Sequence, residues 1–270
     1  MNNIEAQNFD IGYIDTLASR SSVLHRLDPR AKLITTLFFI VMVISFDKYE
    51  IIRLVPFFIY PIVLISLGNL SYKFVFKRVL MVSPFAILVG IFNPIFDKRV
   101  LIQLGTINIS CGWISFFSIV LRFILTVSAA IILVSLAGFN AVCSALEKLG
   151  VPEPFVVQLL FFYRYLFILG DEFGRVVRAS FFRAVNKRTV SFSIFISIVS
   201  NLLLRTFDRA ERIYCAMCSR GFDGHIRLIR SMKLTYAEVI FMFGWIFLFI
   251  LFRSTNFPLK LGVFITGHLR

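Results

Sequence analysis

The chain has 270 residues, 58% of them hydrophobic and 16% charged, with a formal net charge of +14. A soluble domain carries about 45–50% apolar and about 25% charged residues, so this composition excludes one; it is also too apolar for a disordered chain. The chain's 33 Phe and its long apolar runs tie the basic surplus to a membrane with one positively charged side, not to nucleic acid.

The first stretch, MNNIEAQNFD, has neither a basic start nor an apolar core and does not read as a signal peptide, so insertion falls to later segments. Residues 33–46 are apolar between Lys32 and Asp47, and residues 54–67 follow Arg53 and contain Pro56 and Pro61. Fourteen helical residues reach about 21 Å against a hydrocarbon core of about 30 Å, so these two read as a short helical hairpin helped by snorkelling Lys and Arg. Residues 79–96, 113–137 and 236–252 are the third, fourth and fifth runs. Between the last two, apolar 155–169 and 191–204 alternate with basic 171–188 and 205–233. That alternation reads as helices lying against the inner membrane face or half in it, rather than as clean spans. The expectation is an all-α polytopic membrane protein of one domain. Residues 33–137 hold the first four spans, 138–235 a segment of amphipathic helices, and 236–252 the last span.

Residues 137–235 carry 14 Lys+Arg against 7 Asp+Glu, and the 68–78 loop adds Lys73, Lys77 and Arg78 with no acid, while the 47–53 and 97–99 loops are nearly neutral. Positive loops stay cytoplasmic. The chain is therefore expected in the cell (inner) membrane with its N-terminus cytoplasmic, five spans, and its C-terminus outside.

Two stretches in the basic segment share a pattern: Arg175-x-x-x-Ala179-x-x-x-Arg183-Ala184 and Arg212-x-x-x-Ala216-x-x-x-Arg220-Gly221. A spacing of four lines up Arg, Ala and Arg on one helix face. A small residue between two arginines admits a close surface, and guanidinium offers a planar fork to carboxylates or backbone carbonyls. Gly221 is able to end the second helix with positive φ. Two readings stay open on the repeat alone. One is a partner with two similar grooves, such as a dimeric motor protein; the other is anionic lipid, at about 1 kcal/mol per basic residue.

The stretch Ser22-Val23-Leu24-His25-Arg26-Leu27-Asp28-Pro29-Arg30-Ala31-Lys32-Leu33 closely resembles the signature of the transmembrane (T) component of energy-coupling factor (ECF) transporters, the EcfT/CbiQ family. Residues 84–97 (PFAILVGIFNPIFD), residues 149–166 (LGVPEPFVVQLLFFYRYL) and the two Arg/Ala motifs follow in the family's order, over about residues 13 to 250, and the wording is most similar to the cobalt/nickel branch. The resemblance implies paired coupling helices along the cytoplasmic face. It implies two ABC-type ATPase subunits and a membrane substrate-binding (S) component as partners, with ATP and Mg held by the ATPase and no cofactor in this chain. Carried over onto this sequence, Ala179, Arg183, Ala216, Arg220 and Gly221 would dock on the ATPase, supported by Arg175 and Arg212. Ala184 stands where the second motif has Gly221. The cargo would be cobalt, with nickel or a vitamin as alternatives, and any metal site would lie in the S component.

Asp28-Pro29 reads as an N-cap followed by a first helical residue, with Arg30 and Lys32 snorkelling; a contact to the cytoplasmic helices is the alternative. Arg122, inside the fourth run, costs at least about 2.5 kcal/mol unless paired and should face protein or water. Arg164 with Asp171 and Glu172 suggests an internal network, or interfacial anchoring. Asp208 falls at helical spacing to pair with Arg212 and Arg205, with Glu211 the next acid on the same stretch. Cys215-x-x-Cys218 lacks the second pair of a structural zinc site and reads as packing inward. There is no G-x-x-x-x-G-K-[ST], H-E-x-x-H or G-x-S-x-G. A lipid-phosphate enzyme at the inner leaflet is the competing class, short of the acids it needs.

Overall fold

The computed structural model describes residues 22–47, 50–96, 100–104, 107–183, 192–224 and 236–254. Its contacts divide the chain into two compact units: Leu17–Gly138 with Met232–Arg270, and Met1–Thr16 with Phe139–Ser231.

The first unit begins with α1 (Val23–Arg26) and α2 (Pro29–Ile44). Asp28 caps α2 by accepting the Arg30 N–H at 2.9 Å, and Pro29 supplies the first helical φ, as expected from the sequence. The run of residues 54–67 becomes α3 (Ile51–Leu67), whose middle, Val55–Phe58, tightens to a 3-10 turn where Pro56 offers no N–H. Next come α4 (Tyr72–Gly90) and α5 (Phe92–Phe96). Pro84 deprives the Leu80 carbonyl of its helical donor, and Ser83 Oγ donates to that carbonyl instead at 2.9 Å. Within lipid such a freed carbonyl needs a partner.

A short ribbon interrupts the helices. β1 (Val100–Leu104) pairs antiparallel with β2 (Ile107–Ser110), Leu104 opposite Ile107. The sequence reading gave this stretch no element; its Val and Ile content and two-residue separation suit a hairpin. After it, α6 (Cys111–Ala137) and α10 (Tyr236–Ser254) complete the unit.

Two contacts at each end fix how these helices run. Lys32 near the start of α2 bonds Leu136 at the end of α6, while Asp47 beyond α2 meets Arg122 of α6, so the pair is antiparallel. Asp28 bonds Glu238 at the start of α10, while Met42 and Phe46 meet Arg253 near its end, so α2 and α10 are parallel. An aromatic cluster fills the centre. Phe39, Phe57, Tyr60 and Phe249 are almost completely buried, with Phe39 stacked on Tyr60 at 4.6 Å and Trp245 edge-on to Tyr60 at 4.9 Å. Gly68 abuts α6 so closely that a Cβ there would lie 2.6 Å from Leu136 Cδ2. On α4, Phe76, Leu80, Met81 and Phe85 point outward, the apolar face a lipid-facing helix requires.

The second unit has α7 (Phe139–Lys148), α8 (Glu153–Arg183) and α9 (Phe192–Cys218). Phe139 stacks on Tyr163 at 4.3 Å, joining α7 to α8.

Among the described residues four helices are long and apolar enough to cross a membrane: Tyr72–Pro94, Gly112–Ala137, Glu153–Ser180 and Tyr236–Ser254, with Ile51–Leu67 shorter. The runs at 79–96, 113–137 and 236–252 thus correspond to long helices, whereas those at 33–46 and 54–67 form helices of fewer than 18 residues. Residues 155–169 differ from expectation. They belong to one uninterrupted 31-residue helix, α8, because the following DEFGRVVR contains no Pro and the helix absorbs Gly174 at a cost of about 1 kcal/mol.

Candidate coupling site

The two Arg/Ala motifs lie on α8 and α9. Arg175 and Ala179 are exposed on α8, and Arg183 is its last residue, while Ala184 lies outside the described residues. Arg212, Ala216, Arg220 and Gly221 are all exposed on α9 and its end. The helix closes where Gly221 takes φ +76, with the Phe222 N–H on the Met217 carbonyl at 3.1 Å and the Gly221 N–H on the Cys218 carbonyl at 3.0 Å. This is the Schellman ending the sequence suggests. Arg220 is therefore the C-cap residue, just past the last regular turn, rather than one more step on a straight face. A similar turn closes α7 through the Val151 N–H and the Leu146 carbonyl, giving physical sense to Leu149-Gly150-Val151-Pro152.

Glu172 joins the two motif-bearing helices. Its Oε1 lies 3.6 Å from Arg205 Nη1 and its Oε2 accepts from Arg209 Nη1 at 3.3 Å, both arginines being on α9. The sequence placed Glu172 in a network with Arg164 and sought Arg205's partner among the acids of its own helix; the long-range pairing carries no local signal. Beside this bridge a cavity of about 810 Å³ is lined by Glu172, Arg175, Ala179, Ser197, Asn201 and Arg205, among others. One wall of it thus carries part of the first motif.

Cys215 and Cys218 are exposed and free, correcting the expectation that they pack inward. Exposure follows from the openness of this end of α9, where between Glu211 and Gly221 only Ile213 and Met217 are partly covered. Among the described residues no group of three His, Cys, Asp or Glu is placed to hold a metal; His225 lies outside them. Cys143 on α7 is buried, which pushes its thiol up to about 11.

The N-terminal signature residues take structural positions. Asp28 is the cap of α2, its Oδ1 also 4.0 Å from Arg30 Nε. Lys32 does not snorkel. It is 5% exposed and donates to the Leu136 carbonyl at 3.3 Å. Arg122 finds the protein partner expected of an intramembrane arginine, the Asp47 carbonyl.

The sequence model of the CbiQ family, described as cobalt transport protein, matches residues 20–232. An uncharacterised protein of Methanocaldococcus jannaschii is 29% identical over 232 residues, 82% of this chain and 79% of the relative. The energy-coupling factor transporter transmembrane protein EcfT of Streptococcus equi is 27% identical, covering 86% of this chain and 93% of its own length. The protein of the same name in Bacillus subtilis is 24% identical, with 80% and 86% covered. With a match of that extent and apolar helices of membrane-crossing length, the chain belongs to the CbiQ/EcfT family and is an energy-coupling transmembrane component of a transport system, not an enzyme.

Proposed function

We propose that the chain couples ATP hydrolysis to uptake by docking ABC-type ATPase subunits on the faces that carry Ala179 and Arg183 on α8 and Ala216, Arg220 and Gly221 on α9, and by passing their movement to a membrane S component. The observation that carries this reading is the exposure of Arg175 and Ala179 on α8 and of Arg212, Ala216 and Arg220 at the end of α9, two helices bridged by Glu172. A charge-assisted hydrogen bond is worth about 1.5–3 kcal/mol, so the loss of both motif arginines removes most of a docking surface of this kind. Lipid attraction needs positive charge but not the ordered Ala and Gly. ATP and Mg belong to the partner in this reading, and cobalt is the cargo that the family description favours over nickel or a vitamin. The basic excess of 138–235 favours a cytoplasmic N-terminus in the inner membrane.

The test is co-expression with the candidate ATPase pair, comparing wild type with Arg183→Glu plus Arg220→Glu and scoring cobalt uptake in the same cells. The expected result is a variant that inserts normally but retains neither ATPase nor uptake. A variant that keeps the ATPase would assign the arginines to lipid or internal packing and overturn the docking surface.

A further inference from the structure

Two helix ends of the first unit flank residues 139–231 in sequence: the end of α6, at the outgoing crossing after Gly138, and the start of α10, beyond the returning crossing at Met232. Both are held by the first turn of α2. At the outgoing crossing, Leu136 is in the last turn of α6, where carbonyls have no helical donor left. Lys32, buried in an apolar unit, donates to that carbonyl at 3.3 Å and brings a cation to the negative end of the helix. At the returning crossing, Glu238 lies in the first turn of α10, is 6% exposed, and accepts the Asp28 N–H at 3.4 Å. In a capping box that acceptor would come from the third residue of the same helix. Here that residue is Ala31, so Glu238 completes the cap from another helix. Asp28 and Lys32 are one turn apart, so a single turn of α2 holds both of the helix ends that flank the segment in sequence.

We propose that Lys32 and Glu238 are positioning residues for energy coupling, delivering displacement of residues 139–231 to α2 through its first turn. The proposal rests on the ATPase-docking reading above. Buried groups of opposite charge that meet backbone partners at two helix ends are costly to leave unpaired. The contacts therefore move with the crossings instead of letting them slide.

Hydrogen–deuterium exchange on the complete complex with its ATPase tests this, because it needs no knowledge of the cargo. Peptides covering residues 24–36 and the 139–218 segment are compared with and without ATP and vanadate. In the wild type both regions should respond to trapping. In Lys32→Met and, separately, Glu238→Ala, the partner should still hydrolyse ATP and the 139–218 response should persist, while the ATP-dependent response of 24–36 is lost. Lys32→Arg should restore it. A merely structural role would raise exchange of 24–36 equally in both nucleotide states and leave the difference between them intact. The proposal is overturned if either variant keeps the wild-type difference, or if 24–36 does not respond in the wild type. Should Lys32→Met yield no complex, Glu238→Ala carries the same test at the other crossing. Absence of ATPase from the wild-type preparation is seen before any variant is compared; it overturns the docking reading, and this inference with it.

Discussion

Phe39 shows what holds a single side chain in this protein. It is fully buried, with ring centroids 4.6 Å from Tyr60, 5.4 Å from Phe249 and 6.0 Å from Phe57. In lipid the hydrophobic effect does not separate interior from exterior, so close packing and a few hydrogen bonds must hold the helices. Phe39→Ala removes packing and leaves a cavity on the order of 100 Å³, which at about 24 cal/mol per Å³ is a loss of about 2 kcal/mol without any water-transfer term. Tyr60→Phe removes one hydroxyl bond at 2.8 Å to Thr36, whose Oγ1 keeps its bond to the Lys32 carbonyl, and polar pairs in membranes average about 0.6 kcal/mol. Thermal unfolding in detergent should therefore fall several-fold more for Phe39→Ala; equal losses would make the hydroxyl pair the stronger link. Cys143 gives a second prediction at this scale. Burial raises its thiol from 9.0 to about 11, so at pH 8 its thiolate is about 100-fold scarcer than that of an unshifted cysteine. The neutral thiol is what the fold accommodates, so its contribution to stability holds below pH 9 and is lost as the pH rises towards 11. Peptide-resolved maleimide labelling at pH 8 should modify the exposed Cys215 and Cys218 first and Cys143 only on unfolding; early modification of Cys143 would show that α7 opens.

At the scale of elements, α8 and α9 are joined by a carboxylate shared between two arginines. The Glu172 side chain is 17% exposed, while Arg205 and Arg209 are 64% and 39% exposed. Solvent screens pairs of this exposure, and such contacts contribute about 0.2–1 kcal/mol each. The bridge thus sets geometry more than stability. A double-mutant cycle of Glu172→Ala with Arg209→Ala, read by thermal unfolding, should give a coupling below about 1 kcal/mol that shrinks as salt is raised. A large coupling indifferent to salt would mean that the pair is desolvated. Legibility differs between elements for the same reason. The Asp28-Pro29 start and the Gly221 end were readable because caps depend on neighbours in sequence. The partners of Glu172 and Lys32 lie 33–104 residues away and leave no periodic trace. The full length of α8 was hidden because a hydropathy window stops at Asp171 and Glu172, while the backbone needs only the absence of a breaker.

For the membrane unit as a whole, the antiparallel pairing of α2 with α6 and the parallel pairing of α2 with α10 bring Lys32, Leu136 and Glu238 to one end and Asp47, Arg122 and Arg253 to the other. Both crossings of the coupling segment are therefore at the same end, so fixing the side of one residue fixes the side of all. Charge alone left the C-terminal side weakly determined, because Arg253, Lys260 and Arg270 would lie outside. Helix pairing reduces that weakness, since Arg253 sits over the Phe46 ring at 5.3 Å and reaches Met42 Sδ at 3.7 Å, held by its own unit. The expected orientation rests on the basic excess of 138–235, because cytoplasmic retention follows Lys and Arg in loops near the spans. An impermeant maleimide separates the two orientations. Asp47→Cys places a thiol at an exposed position while leaving intact the backbone carbonyl that Arg122 uses. In intact cells that thiol should label, whereas Cys215 and Cys218 should label only after permeabilisation. The reverse order would turn the unit over, put the Arg/Ala faces outside the cell, and remove them from any ATPase that uses cytoplasmic ATP.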